Sequence, residues 1–455
     1  MEKSNKQLSL FSDENIKMAL VKLGLPTMVG LIVSALYSVV DMHFVGGLGP
    51  SQVAAVSVVF PLSLIIMGVG LLFGAGGSTC VAKFLGEKNY KKANEYASTS
   101  VYTSFIVSII LSVLMIIFFT PIVKALGISK TSMVYAQQYG ILFIISLAIN
   151  GFNIAFDTVM AGEGANMYAM IAMLLGAVIN IILEPIFIYV LGLGVKGSAI
   201  ATTIANLCVS ALYIFYILSQ KGVLRYSFNN FKPSKLLYNS ICKIGMPMLI
   251  FEVFQNIAIT LTNSLSSPYG DSSLSGISAV TRVTTIVVMA IAGFTKGYQP
   301  FVGYNYGAGR MDRVKKSTNI CLKITTGFCI IMSAIFIIFS SQIASLFGKD
   351  KVLINVASKA LIMNSVMIIF YGFMFVYACK FLATGNTTAG GIVTFARQSI
   401  FFIPLILILP HFLKLDGIII SQPLADLLSV ILVFILKIKD DKRYKETKNI
   451  EIIKQ

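Results

Sequence analysis

Lys22-Leu-Gly24-Leu-Pro26 opens one apolar run of the chain, and Lys243-Ile-Gly245-Met-Pro247 opens another at an offset of 221. The spacing recurs after the next run of each half. There Phe84-Leu-Gly86-Glu-Lys-Asn-Tyr-Lys-Lys is answered by Asn305-Tyr-Gly307-Ala-Gly-Arg-Met-Asp-Arg, again at an offset of 221. Gly162, before the fifth run, answers Gly385 before the eleventh at an offset of 223, and Gly197-Ser-Ala-Ile-Ala answers Gly417-Ile-Ile-Ile-Ser at 220. Glycine and proline gather at helix ends in any membrane protein, so one such match carries little weight. Four matches on equivalent connections at a nearly constant offset point to a duplicated unit.

The solvent of this chain is lipid. Hydrophobic residues make up 56% of it, charged residues 12%, and the mean hydropathy is +0.83. A water-soluble domain with so little charge has almost nothing to place on its surface. Apolar runs at 16–43, 53–82, 96–119, 133–160, 167–190, 195–218, 240–263, 276–304, 318–341, 355–382, 391–410 and 416–437 are each long enough to cross a bilayer as a helix. The segment 1–15 is polar and the first run exceeds a signal-peptide core, so that run reads as a retained span. The expected fold class is therefore all-α integral membrane, with about twelve transmembrane helices in two pseudo-symmetric six-helix lobes, residues 1–222 and 223–455. Repeats with an even number of spans share one orientation and are related by an axis along the membrane normal. Transporters use such repeats to rock two bundles about a central site.

The net charge of +17 is a topology signal. Of the 36 Lys and Arg residues, 25 lie in alternate connections and the two tails, at 1–22, 83–95, 219–243, 305–323 and 437–454. The remaining connections hold Lys124, Lys130, Lys196, Lys349, Lys351 and Lys414. The bias predicts cytoplasmic N- and C-termini and argues against nucleic acid as a partner. The six cysteines carry no CxxC spacing and read as buried, reduced side chains. His43 and His411 lie far apart, so no transition-metal site is expected.

A charge inside a span costs at least ~2.5 kcal/mol on insertion scales, so each one is a candidate for function. Asp41 falls near the outer end of span one. Asn180 and Glu184, four apart, share a face of span five, and Thr202 lies two turns into span six. Two carboxylates, an amide and a hydroxyl at one depth form an oxygen-rich set suited to Na⁺ or a shared proton. The competing reading makes Asp41 interfacial and Glu184 a structural hydrogen-bonding group. In the second half, Glu252 and Lys296 reach equal depth on spans seven and eight with Gln255 nearby, which predicts a polar pair acting as gate or as staple. Arg282, Lys296 and Lys380 are counted as the deep bases. Arg282 and Lys380 are expected to snorkel or to meet phosphate headgroups. Asp157 and Glu163 are expected to be solvated beside the connection between spans four and five.

Walker, HExxH and GxSxG motifs are absent from the sequence, so no enzyme activity or bound cofactor is expected. Without a nucleotide site, transport must draw on an ion gradient, worth ~2.3 kcal/mol per charge per 100 mV.

At these residues the sequence resembles the multidrug and toxic compound extrusion (MATE) transporters, over roughly 16–437. The likeness is carried by Gly24-Leu-Pro26, Val40-Asp41, Phe44-Val-Gly46-Gly-Leu-Gly49, Ala54-Ala55-Val56 and Pro61. Gly176-Ala-Val-Ile-Asn180-Ile-Ile-Leu-Glu184-Pro185, Gly197-Ser-Ala-Ile-Ala-Thr202 and Gln299-Pro300-Phe-Val-Gly303-Tyr-Asn305-Tyr-Gly307 complete it. It is nearest to bacterial members of the branch of the DNA-damage-inducible F proteins and the staphylococcal multidrug pump type. The resemblance implies a V-shaped pair of six-helix lobes and export of lipophilic or cationic compounds in exchange for Na⁺ or H⁺. It places the coupling cation at Asp41, Asn180, Glu184 and Thr202, with Glu184 where an Asp is usual, and makes Pro26 a helix-bending proline. Glu252 fits an acid that other branches carry on span seven, whereas Lys380 or its apolar neighbours stand where span ten would supply one. Expected partners are such small molecules and membrane lipids, for a monomer in the bacterial inner membrane. Two alternatives are a lipid-linked oligosaccharide flippase of the same superfamily and a non-transport membrane protein.

Overall fold

Lipid cannot hydrogen-bond a peptide group, so each apolar run must close its own backbone as a helix. The computed structural model describes residues 2–454, with side chains for 7–38 and 40–442. Among the described residues, eleven helices are long and apolar enough to cross a membrane. Spans one to six are Ile16–Gly46, Pro50–Gly86, Tyr90–Ile117, Lys130–Gly162, Asn166–Val190 and Val195–Leu218. Spans seven to nine are Lys235–Tyr269, Asp271–Gly307 and Met311–Ile338. Span ten is Lys351–Ile368 continued by the shorter Tyr371–Ala383.

The last apolar helix, Thr387–Lys442, has 56 residues. At 1.5 Å per residue that is about 84 Å, far more than one ~30 Å hydrocarbon core needs. Lys414, at φ 53° and ψ −130°, breaks it into two crossings, which brings the total to the expected twelve. Side-chain caps fix several starts. Asn15, Asn89, Ser129, Asp350 and Asn386 each accept a hydrogen bond from a backbone N–H two or three residues on. The outward faces carry large apolar side chains, as at Ile106, Ile109, Ile110 and Val113 of span three.

The duplication is written in the backbone. Span two ends with Asn89 N–H donating to the Phe84 carbonyl, 2.8 Å, around a left-handed Lys88. Span eight ends in the same way at an offset of 221, with Arg310 N–H donating to the Asn305 carbonyl, 2.8 Å, around a left-handed Gly309. Gly49 and Gly270, also 221 apart, have φ of 104° and 93°. Gly194 (φ 56°, ψ −138°) and Lys414 share another rare conformation at an offset of 220. Short helices Phe119–Ala125 and Ser340–Ser345 follow spans three and nine in the same register. One pairing from the sequence is corrected. The counterpart of Gly385 (φ 83°) is Gly164 (φ 84°), whereas Gly162 lies within the span-four helix, against Ser78.

Packing divides the chain into two compact units, residues 1–253 with 292–317, and residues 254–291 with 318–455. Residues 235–253 of span seven and 292–307 of span eight thus belong to the first unit, which a division at 222/223 by repeat does not express. Glycines make that possible. A Cβ at Gly86 would lie 2.0 Å from the Tyr304 carbonyl oxygen, and one at Gly307 would lie 2.1 Å from that of Lys83. Gly245 meets the Leu72 carbonyl oxygen and Gly24 meets Phe294 in the same manner. The N-terminal segment, which reads as a polar tail, forms a helix, Glu2–Ser12, with Phe11 fully buried. Arg313 holds its end by donating to the Asp13 and Phe11 carbonyls at 2.6 and 3.2 Å.

Candidate functional site

Span five delivers Asn180 and Glu184 on one face because they are one helical turn apart. Pro185 then removes a backbone N–H, and Ile186–Val190 continues as a π-helical turn. From that turn the Tyr189 hydroxyl donates to the Phe44 carbonyl, 2.6 Å, tying the C-terminal end of span one to the C-terminal end of span five. Asp41 sits one turn before Phe44. Gly192 and Gly194 reverse the chain, and Thr202 enters from the second turn of span six.

These elements bring all four expected residues together. Glu184 is fully buried and Asn180 is 1% exposed. The Asn180 amide is satisfied with its nitrogen donating to Glu184 Oε2, 3.1 Å, and its oxygen accepting from the Thr202 hydroxyl, 3.2 Å, and backbone N–H, 3.3 Å. The Asp41 and Glu184 carboxyl groups lie within hydrogen-bonding reach of each other. Glu184 Oε1 is buried without a partner. Two carboxylates this close repel unless a proton or a cation is shared between them. Tyr37 is a member that the sequence reading missed, with its hydroxyl hydrogen-bonded to Thr202. Its position, one turn before Asp41 on the same face, was the available signal.

The sequence profile of the MatE family matches residues 26–186 and again 247–408. The chain belongs to the MatE family. The two matches begin at Pro26 and Pro247, at the offset of the repeat. MatE proteins are membrane transporters rather than enzymes. Multidrug export protein MepA of Staphylococcus aureus (strain NCTC 8325 / PS 47) is 27% identical over 440 residues, covering 95% of this chain and 97% of the relative. A crystal structure of a MATE in complex with MaL6 superposes with a TM-score of 0.92 at 25% identity, over 97% of this chain and 99% of that one. An outward-facing conformation of a multidrug resistance MATE family transporter gives 0.91 over the same shares, also at 25% identity.

Other expected residues of this MatE chain are placed differently. Pro26 lies within a continuous span-one helix, where Thr27 donates to the Gly293 carbonyl, 2.6 Å, and Asn166 donates to that of Leu23, 2.8 Å. Lys296 does not take up the expected pairing with Glu252 but forms an ion pair with Asp157 of span four. Depth along a helix sets the level of a side chain but not the direction it faces. Gln255 belongs to the second unit, where it lines a cavity, while Glu252 and Lys296 belong to the first.

Asp157 and Glu163 are not solvated, being 7% and 0% exposed. Glu163 accepts from the Tyr216 hydroxyl, 2.9 Å, and from the Val223 and Leu224 N–H groups, 2.9 and 3.0 Å. Burial pushes its carboxyl up to about 7. Lys380 pairs with Asp440, 3.1 Å, rather than reaching for headgroups. The count of deep bases omitted Arg397, which forms an ion pair with Asp426 in the second unit, 2.6 Å. A charge in each of two apolar runs was the signal that pointed to both residues.

Proposed function

We propose that the chain exports lipophilic or cationic organic compounds in exchange for Na⁺ or H⁺, with Asp41 and Glu184 as the coupling pair. The observation that carries this reading is the contact of the Asp41 carboxyl with the fully buried Glu184, whose Oε1 is left without a partner. Such a pair takes up one proton or one hard cation and gives it up when the surroundings change, which is what ion exchange requires. Asn180 and Thr202 hold Glu184 in place, and Pro26 supplies the weak point at which span one can bend. Similarity to MepA, named for multidrug export, supports the substrate class. The alternating basic connections support cytoplasmic termini, and the chain is proposed to act as a monomer in the bacterial inner membrane.

The test is flux of a cationic dye in proteoliposomes, with a Na⁺ gradient and a pH gradient imposed separately. One of the two gradients is expected to drive dye transport. Asp41→Asn is expected to abolish that gradient dependence while the protein remains folded. Gradient-driven flux that persists in Asp41→Asn would overturn the coupling assignment, and the absence of flux under either gradient would overturn export.

A further inference from the structure

The second unit carries its own buried charge cluster. Arg397 Nε donates to Asp426 Oδ1 at 2.6 Å, and Arg397 Nη2 donates to the Tyr371 hydroxyl at 2.6 Å. Tyr371 donates in turn to Asp426 Oδ2, 2.9 Å, and Gln422 Nε2 donates to Asp426 Oδ1, 2.8 Å. The guanidinium lies 4.4 Å from the centre of the Tyr371 ring. Asp426 is fully buried, Tyr371 is 1% exposed and Arg397 8%. The backbone is irregular here too, since Arg397–Phe401 is a π-helical turn. Such turns gather at functional sites.

A cavity of about 100 Å³ adjoins the cluster, lined by Arg397, Gln398, Gln422, Asn364, Thr262 and Thr281 among others. Its polar wall sets hydroxyl and amide groups beside the Arg397 guanidinium. Thr262 and Thr281 donate their hydroxyl protons to carbonyls one turn back, at 2.8 and 3.1 Å. The Asn364 amide nitrogen donates to the Ala360 carbonyl, 2.8 Å, and that of Gln422 is used on Asp426. Gln398 Oε1, on a side chain 8% exposed, is buried without a partner. A carboxylate set among uncharged oxygens is the chemistry of a cation site.

The repeat gives this a second footing. At the offsets of 221 and 220, Thr262 stands at the position of Asp41, Leu405 at that of Glu184 and Gln422 at that of Thr202. The two acids of the first half have neutral counterparts. The acid of this cluster is Asp426, already joined to an arginine.

We propose that this cluster is a monovalent-cation site whose resident occupant is the protein's own Arg397, so that the second half holds a fixed cation where the first half exchanges one. The contrast rests on the coupling reading above, but the site itself stands on the residues of the second unit. The fixed charge takes Asp426 out of exchange. Loss of the arginine should open Asp426, Tyr371, Gln422 and the adjoining cavity to Na⁺ or to a proton.

The test uses the full-length protein in an Asp41→Asn background, which silences the first site, with radioactive-sodium binding and Tm measured against Na⁺ and pH. Asp41→Asn alone is expected to bind no Na⁺ and reports on the coupling reading by itself. Adding Arg397→Gln is expected to create sodium binding, or a Tm that rises as pH falls. Adding Asp426→Asn as well is expected to abolish either gain. A folded Asp41→Asn/Arg397→Gln protein with no more response to Na⁺ or pH than the triple variant would overturn the proposal. If the double variant is recovered unfolded, guanidinium ion during purification is expected to restore the fold while urea at equal concentration does not. Failure of guanidinium to restore it would equally overturn the proposal.

Discussion

Glu163 shows what one buried carboxyl can do to the pH response of the molecule. Its pKa stands at about 7 in the folded chain against an ordinary 4.5, because burial outweighs the hydrogen bonds from Val223, Leu224 and Tyr216. A group raised on folding contributes stability that is fully present below its unfolded pKa and is lost as pH rises through the folded value. The window is therefore pH 4.5 to about 7, and a shift of this size is worth a few kcal/mol at most. Glu163→Gln mimics the protonated form at every pH. Its Tm is expected to match wild type near pH 5 and to exceed it above pH 7, as followed by thermal unfolding in detergent. Parallel curves for the two proteins would show that Glu163 does not titrate in this range. The sequence could not place Glu163 well. Its position at a helix end suggested water, whereas what buries it is the 219–234 connection folding back, a contact between segments far apart in the chain. Asp41, Asn180, Glu184 and Thr202 were legible because each lies in an apolar run at a measurable depth, and lipid leaves an intramembrane acid few partners.

At the scale of the helices, glycine decides which faces meet. Gly245 of span seven lies against Leu72 of span two, so close that a Cβ would stand 1.8 Å from the carbonyl oxygen. The partner is backbone, so no rotamer change relieves the clash. Gly245→Ala is expected to cost about 1–3 kcal/mol, as overpacking does elsewhere. Gly46→Ala, at a glycine whose Cβ would meet nothing within 4 Å, is the control. A fall in Tm for the first and none for the second is the expected result. Equal Tm values would mean that the crossing yields at no cost. The glycines at 24, 86, 245 and 307 were visible in the sequence as matched pairs at an offset of 221, yet their pairing across spans was not. A glycine at a helix end has several uses, and only the three-dimensional crossing distinguishes a cap from a contact. The spans themselves were legible to within a few residues because hydrocarbon sets both their length and their composition. The break at Lys414 was legible only as the short polar interval between the last two runs.

For the whole molecule, the unit of duplication and the unit of packing are different. The sequence repeat suggests a division near 222/223, while the first compact unit takes in residues 223–253 and 292–317 as well. The reason lies in the faces that those segments cover. A Cβ at Gly76 would clash with the Ile241 carbonyl, one at Gly86 with that of Tyr304, and one at Gly297 with that of Leu23, so these parts of spans one and two are shaped to receive spans seven and eight. Thr27 donates to the Gly293 carbonyl, 2.6 Å, and Thr79 accepts from the Gln299 amide, 2.7 Å, beside the bonds each makes within its own helix. Asp157 of span four would lose its counter-ion, Lys296 of span eight. A fragment of residues 1–222 keeps Asp41, Asn180, Glu184 and Thr202 but exposes narrow glycine grooves and leaves a buried carboxylate without its counter-charge. Removing one partner of a buried pair is strongly destabilising, typically by about 3–5 kcal/mol. Expressed alone, 1–222 is therefore expected to be degraded or to aggregate. Co-expression with 223–455 as a separate chain is expected to restore a membrane complex that co-purifies and carries dye flux. An isolated 1–222 as stable as the full chain, measured by fluorescence-detected gel filtration after heating, would show that each repeat folds on its own.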